Sequence, residues 1–245
     1  MLFKFKPFIF SLLFLLGLEF IVLKSIFVFV TLIILIILAI FSGRKLGGKW
    51  NFSILPSFFS FFSIALLYLI SVLWEKQLFI FLSSIFYYLI LLGIARLKEY
   101  NRDLTARGMI MATTAATFFF AFSSAYGFYL NFLVPLWVLM LVYFAITIFL
   151  SVQYFSIIEG DARKKWTYCF LLSLVMTEII WTMNFWPFGY LTTGVISLIL
   201  YYVLWDLAQS HFLNLLSRRR VIANMTFFSI IVAMVLLSAK WLPII

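Results

Sequence analysis

Apolar runs of about twenty residues recur from one end of this chain to the other, divided only by short polar stretches. A run of that length crosses the hydrocarbon of a bilayer when helical. A helix is also the only open-chain element that satisfies its own backbone hydrogen bonds there. The composition leaves no other solvent: of the 245 residues, 66% are hydrophobic and 11% are charged, whereas soluble domains carry about 25% charged residues. The expectation is an all-α polytopic bundle, a single integral membrane domain over 1–245 with no soluble domain, resident in a cell membrane.

Nine segments follow, at roughly 7–23, 25–42, 52–73, 78–95, 109–128, 133–153, 166–186, 188–208 and 221–243. The first break is the weakest. Only Lys24 interrupts "LEFIVLKSIFVFV", and no Gly or Pro marks a turn, so one tilted span over 7–42, giving eight in all, is the alternative. The first 24 residues imitate a signal peptide, with Lys4 and Lys6 ahead of an apolar core. No small-x-small cleavage site follows, so the stretch reads as an uncleaved first helix.

The net charge of +10 would point to nucleic acid in a soluble protein. Here fifteen of the eighteen cations fall in alternate loops: Lys4 and Lys6; Arg44, Lys45 and Lys49; Arg96, Lys98, Arg102 and Arg107; Arg163, Lys164 and Lys165; Arg218, Arg219 and Arg220. Lys24, Lys76 and Lys240 are left for the other side. The cation-rich side of a membrane protein is cytoplasmic, which places the N-terminus inside and the C-terminus outside. The basic loops meet anionic headgroups, and no nucleic-acid partner is expected. Trp50, Trp74, Trp166, Trp186, Trp205 and Trp241 fall near segment ends, where indoles sit among headgroups.

Aromatic pairs open three similar stretches, "YYLILLGIARL" from Tyr87, "YFAITIFLSVQ" from Tyr143 and "YYVLWDLAQSH" from Tyr201, 56 and 58 residues apart. Either a duplicated hairpin or the ordinary spacing of two-helix units with short loops produces such intervals. Small residues recur at helical spacing. Ala112 and Ala116 share one face, with Thr113, Thr117, Ala121 and Ser124 on the next; Ser53, Ser57, Ser60 and Ser63 mark the third segment, and Gly189, Thr193 and Ser197 the eighth. Such faces let helices approach closely in lipid.

The depth of each acid decides its interest. Glu75 lies in the turn "WEKQ" and is solvated. Glu19 lies near an outer helix end about a turn from Lys24, which predicts an interfacial ion pair. Asp206 is near the inner end of its helix, close to Gln209 and His211, in reach of water or of the basic loop that follows. Glu178 differs. It is eight residues from Trp186, and a rise of about 1.5 Å per residue puts it roughly 12 Å down, near the midplane. An acid there costs about 2.5–3.5 kcal/mol and is expected to face protein or trapped water. Trp181 and Thr182 follow it at i+3 and i+4, and Thr193 and Ser197 stand at comparable depth across the next turn. Glu178, Trp181, Thr182, Thr193 and Ser197 therefore form the candidate intramembrane polar site, with Glu19, Asp206 and His211 secondary.

Catalytic constellations are missing from the pattern. His211 is the single histidine and Cys169 the single cysteine, so neither a zinc cluster nor an intramolecular disulfide is expected. "GRKLGGKW" lacks the strand-to-helix context and terminal Ser/Thr of a phosphate loop, and "EGDARKKW" lacks the order and second aspartate pair of a CDP-alcohol phosphotransferase motif. No catalytic residue, metal or cofactor is predicted.

The stretch "TEIIWTMNFWPFGYLTTGVISLILYYVLWDLAQSHF" resembles the C-terminal part of uncharacterised multi-pass membrane proteins of candidate-phyla bacteria. Glu178, Trp181, Phe185, Pro187, Gly189, Tyr201 and Tyr202 carry the likeness, which covers the last third of the chain and implies no activity. The leading expectation is a non-enzymatic accessory or scaffold component of a membrane assembly, with a membrane-protein partner or a homo-oligomer, or else a small-solute or proton pathway through Glu178. The alternative is an enzyme acting on a lipid-linked or phospholipid substrate at the cytoplasmic face, with Arg and Lys holding phosphate and Asp206 or His211 as the acid–base group.

Overall fold

A computed structural model describes residues 5–100, 103–132, 134–157, 162–212 and 217–238. Lys4, Arg102, Lys240, Trp241 and the first residues of "EGDARKKW" lie outside these residues. The described residues form nine α-helices: α1 (Phe5–Leu23), α2 (Val28–Gly47), α3 (Asn51–Leu69), α4 (Leu73–Glu99), α5 (Leu104–Phe132), α6 (Leu136–Ile157), α7 (Ala162–Met183), α8 (Tyr190–Phe212) and α9 (Arg218–Ser238). Each contains a stretch long and apolar enough to cross a membrane. The chain is an all-α, multi-pass integral membrane protein. It divides into two compact units, Met1–Phe120 and Ala121–Ile245.

The doubtful first break is real. A short 3-10 turn, Ser25–Phe27, separates α1 from α2. Gly17 packs under Leu35, and Phe10 meets Phe41 edge-on at 6.2 Å, so the two helices run antiparallel as a hairpin. At 19 and 20 residues, each is about 30 Å long and matches the hydrocarbon by itself.

In the first unit α4 is central, packed against α1, α2 and α3. Tyr87 is its pivot: fully buried, stacked on Phe14 at 4.3 Å and hydrogen-bonded through Oη to Ser42 Oγ at 3.2 Å. Ser11 of α1 donates to the Ser84 carbonyl of α4 at 2.8 Å. The α2–α3 hairpin is closer still. Residue 56 is proline, which has no N–H to offer the Phe52 carbonyl one turn earlier. Gly43 packs directly on that carbonyl, and Gly47 packs on the Phe52 side chain. Gly48 ends α2 at φ +74°, a left-handed cap that returns its N–H to the Arg44 carbonyl. The glycines of "GRKLGGKW" thus serve close packing and a turn.

In the second unit Tyr143 of α6 is fully buried, stacks on Phe122 at 4.6 Å and donates to the Phe122 carbonyl at 3.0 Å. Tyr201 of α8 is buried and shares a 2.9 Å hydrogen bond with Ser151 of α6. Gly194 lies so close to Ser123 that a Cβ there would overlap its hydroxyl. The three tyrosines that opened the similar stretches are therefore equivalent in one respect: each buries its ring and uses its hydroxyl. Helix α9 is peripheral. No side chain from Val221 to Ser238 is fully buried, and Phe228 against Tyr202 and Asn224 against Asp206 attach it to α8.

Two expectations about faces change. Thr113, Thr117, Ala121 and Ser124 are buried, but Ala112 is exposed, so the threonine stripe is the packed one. Thr113 and Thr117 close their hydroxyls on carbonyls of the preceding turn, which removes their cost in an apolar interior. Trp50, Trp74, Trp166 and Trp186 are exposed as headgroup anchors should be, whereas Trp205 is 5% exposed and packs edge-on against Tyr154 at 4.8 Å. It is a core residue, not an interfacial one.

Asp103 fastens the turn between α4 and α5. Its Oδ1 accepts from the N–H groups of Thr105 (2.9 Å) and Ala106 (3.1 Å), and its Oδ2 from Arg96 Nε at 2.7 Å. This is an N-cap completed by an ion pair. The Ala106 N–H above all, with Arg96 and Thr105, holds the carboxyl below its ordinary value. A lowered folded value means a contribution fully present above the usual aspartate range and lost as pH falls through the folded value. Asp103→Ala is expected to speed amide exchange at Thr105 and Ala106 at neutral pH. In the wild type the same loosening is expected only when pH drops below about 4.

Candidate functional site

Helix α7 has two faces, each apolar for most of its length. Cys169, Leu172, Ser173, Met176, Ile180 and Met183 are buried at helical spacing, and α7 packs against α6 and α8 through this stripe. The opposite side, from Thr167 through Leu171, Leu174, Glu178 and Trp181 to Phe185, is exposed.

Glu178 stands on the exposed side. The phase of the helix turns it away from the packed side of α7. Met176, Ile180 and Met183 take the inward positions, and residue 178 lies about 160–200° around from Met176 and Ile180, at roughly 100° per residue. The exposed Trp166 and Trp186 bracket the apolar part of α7, and Glu178 is about 18 Å from the first and 12 Å from the second by helical rise. Among the described residues its carboxylate makes no hydrogen bond or ion pair. The hydroxyl of Thr182 does not serve it, because Thr182 donates to the backbone carbonyls of Ile179 (2.7 Å) and Glu178 (3.3 Å). Trp181 turns its indole edge-on to Phe185 at 5.5 Å.

Thr193 and Ser197 are buried on α8 and do not join Glu178. Ser197 reaches the sulfur of Met183 at 3.8 Å, so the α7–α8 hairpin closes through those two residues and not through Thr182 and Thr193. The hairpin turn itself is as tight as "FWPFG" implies, with the Phe188 N–H bonded to the Trp186 carbonyl at 2.8 Å. The five residues of the candidate site thus separate into an outward trio, Glu178, Trp181 and Thr182, and an inward pair.

The secondary candidates each have a local partner. Glu19 accepts from Gln77 Nε2 of α4 at 3.1 Å, which takes the place of the expected ion pair with Lys24. Asp206 accepts from the Asn224 amide of α9. His211 Nδ1 is 2.6 Å from the hydroxyl of Tyr168, joining the cation-rich ends of α8 and α7. Glu19 and Asp206 tie helices together within the first and the second unit respectively.

No curated protein and no solved structure matches the chain. A family model does, over residues 38–238, from within α2 to the end of α9, and this region includes Glu178. The chain belongs to the DUF5656 family, described as a protein of unknown function.

Proposed function

We infer that the chain is a non-enzymatic accessory or scaffold subunit of an assembly in a bacterial cell membrane, joined to its partner through the outward face of α7. The observation that carries this reading is Glu178, an acid between the exposed Trp166 and Trp186 on an exposed face of an apolar helix, with no side-chain partner among the described residues. Lipid offers such a group nothing, at a cost of about 2.5–3.5 kcal/mol, and a neighbouring helix that bonds it offsets that cost. A proton or solute path through Glu178 is less well supported, because the hydroxyls of Thr193 and Ser197 face the interior and the acid does not. The basic loops set the N-terminus on the cytoplasmic side, against anionic headgroups. Reporters active in the cytoplasm should therefore work after Arg107, and periplasmic ones at the C-terminus.

Extraction from native membranes into polymer-bounded nanodiscs tests the subunit reading. The particle is expected to exceed one chain in protein mass, to keep that mass with Glu178→Gln, which retains donor and acceptor, and to lose it with Glu178→Leu. A wild-type particle holding a single chain contradicts it.

One observation favours a second reading. The Tyr168–His211 hydrogen bond is exposed and lies one helical turn from Lys164 and Lys165, an arrangement that could hold a headgroup phosphate beside an acid–base pair. Phospholipid turnover that survives His211→Ala removes this alternative.

A further inference from the structure

A serine inside an apolar helix can satisfy its hydroxyl on the carbonyl of the preceding turn. Ser57 of α3 and Ser84 of α4 do so, donating to the Ser53 and Ile80 carbonyls at 2.8 Å each. Ser60 and Ser63 of α3 and Ser83 of α4 do not. All three are fully buried, and among the described residues none of their hydroxyls has a hydrogen-bond partner. The register of the helices gathers them. Helices α3 and α4 are consecutive and packed together, and the Phe59 ring lies 6.3 Å from that of Tyr87, with Ser60 beside the Tyr87 hydroxyl. From that level Ser63 is about 4.5 Å and Ser83 about 6 Å along their helices, both toward the turn that joins α3 to α4. Tyr87 adds an acceptor. Ser42 Oγ donates to the Ala39 carbonyl at 3.1 Å, so the proton of the Ser42–Tyr87 hydrogen bond is that of Tyr87, whose oxygen keeps its lone pairs for another donor.

We propose that Ser60, Ser63, Ser83 and Tyr87 hold ordered water between α3 and α4, inside the membrane-spanning part of the first unit. Water donates and accepts, and makes about three hydrogen bonds when buried, so it serves hydroxyls presented by two helices at once. The surrounding charge selects water over a cation. Helix α3 carries no acid, and the charged residues of α2 are the cations Arg44 and Lys45. The acids of α4, Glu75 and Glu99, lie in its first turn and at its last residue. Glu75 is about 12 Å from Ser83 by helical rise, and Glu19 of α1 meets α4 at Gln77, about 9 Å from Ser83 by the same measure. Nothing at the level of the serines balances a positive charge, and an unpaired buried charge is costly. The site lies in the interior of its unit and is independent of the outward face of α7.

Radiolytic footprinting of the full chain in lipid nanodiscs tests this, because an X-ray pulse splits a bound water in place and the hydroxyl radical oxidises the side chain beside it. Tyr87 is fully buried, so water held at the serines is what brings a radical to its ring. Its oxidation is expected at a rate comparable with that of the exposed Tyr100. Combining Ser60→Ala, Ser63→Ala and Ser83→Ala should lower that rate several-fold. Ser57→Ala, which removes a hydroxyl already satisfied by its own helix, should leave it unchanged. If the combined variant does not fold, Ser60→Ala and Ser83→Ala alone carry the comparison, each lowering the rate. An unoxidised Tyr87 in the wild type overturns the proposal, the hydroxyls then turning back to their own helices. Oxidation undiminished by the serine variants, or diminished as much by Ser57→Ala, overturns it as well. Oxidation that changes when sodium is replaced by potassium or choline would put a cation in place of the water.

Discussion

Gly43→Ala is expected to destabilise the chain by about 1–3 kcal/mol, the cost of forcing an extra carbon into a packed interface, and larger residues should cost more. The added Cβ would lie 2.7 Å from both the Phe52 carbonyl oxygen and the Ser53 Cα, which are backbone atoms and cannot turn aside. The α2–α3 hairpin would have to open, taking with it the Ser53 hydrogen bond to the Ile40 carbonyl at 3.0 Å. Gly108 provides the control. A Cβ there meets nothing within 4 Å, and Gly108→Ala should be neutral or stabilise by up to about 1 kcal/mol. Unfolding in a mild detergent, followed by heat or denaturant, measures both. Equal effects at the two glycines would show that Gly43 is not a packing residue.

Tyr143→Ala is the second large effect. The ring is fully buried and stacked on Phe122, and its removal leaves a cavity among α5 and α6 residues, at a cost of about 3–5 kcal/mol by analogy with other buried aromatics. Tyr143→Phe keeps the ring and deletes only the hydrogen bond to the Phe122 carbonyl, so it should cost about 0.6 kcal/mol and at most roughly 2. The contrast separates packing from hydrogen bonding. A Tyr143→Phe variant as damaged as Tyr143→Ala would assign the stability to the hydroxyl instead.

The span boundaries were readable because the backbone constraint acts on length. Any helix that must cross hydrocarbon needs its twenty or so apolar residues, and the segments drawn from sequence coincide with α1 through α9 to within a few residues at most ends. Helix faces were not readable for the reverse reason. In water, the buried side of a helix is apolar and the other polar; in lipid both are apolar, and the 3.6-residue signal vanishes. Two residues show the effect: Glu178 lies on the exposed side of α7, and Trp205, expected among headgroups, is packed in the core. Side chains that speak only to a neighbouring helix fared better. Tyr87, Tyr143 and Tyr201 showed as a spacing before they showed as three buried pivots. The Gly43-x-x-x-Gly47 pair is a signal for close helix approach, obscured by the cations between the glycines, which also suit a phosphate loop.

Oxygen accessibility of a nitroxide on Leu174 tests the central claim most directly. The label is attached through Leu174→Cys in a Cys169→Ser chain, in vesicles made from its own membrane. Ile37→Cys, at an exposed mid-helix position of α2, reports bare lipid contact in the same sample. If the α7 face is a subunit contact, the Leu174 label will be immobile and several-fold less accessible to dissolved oxygen than the Ile37 label. If the two labels are equally accessible, α7 faces lipid, and Glu178 holds no partner in place.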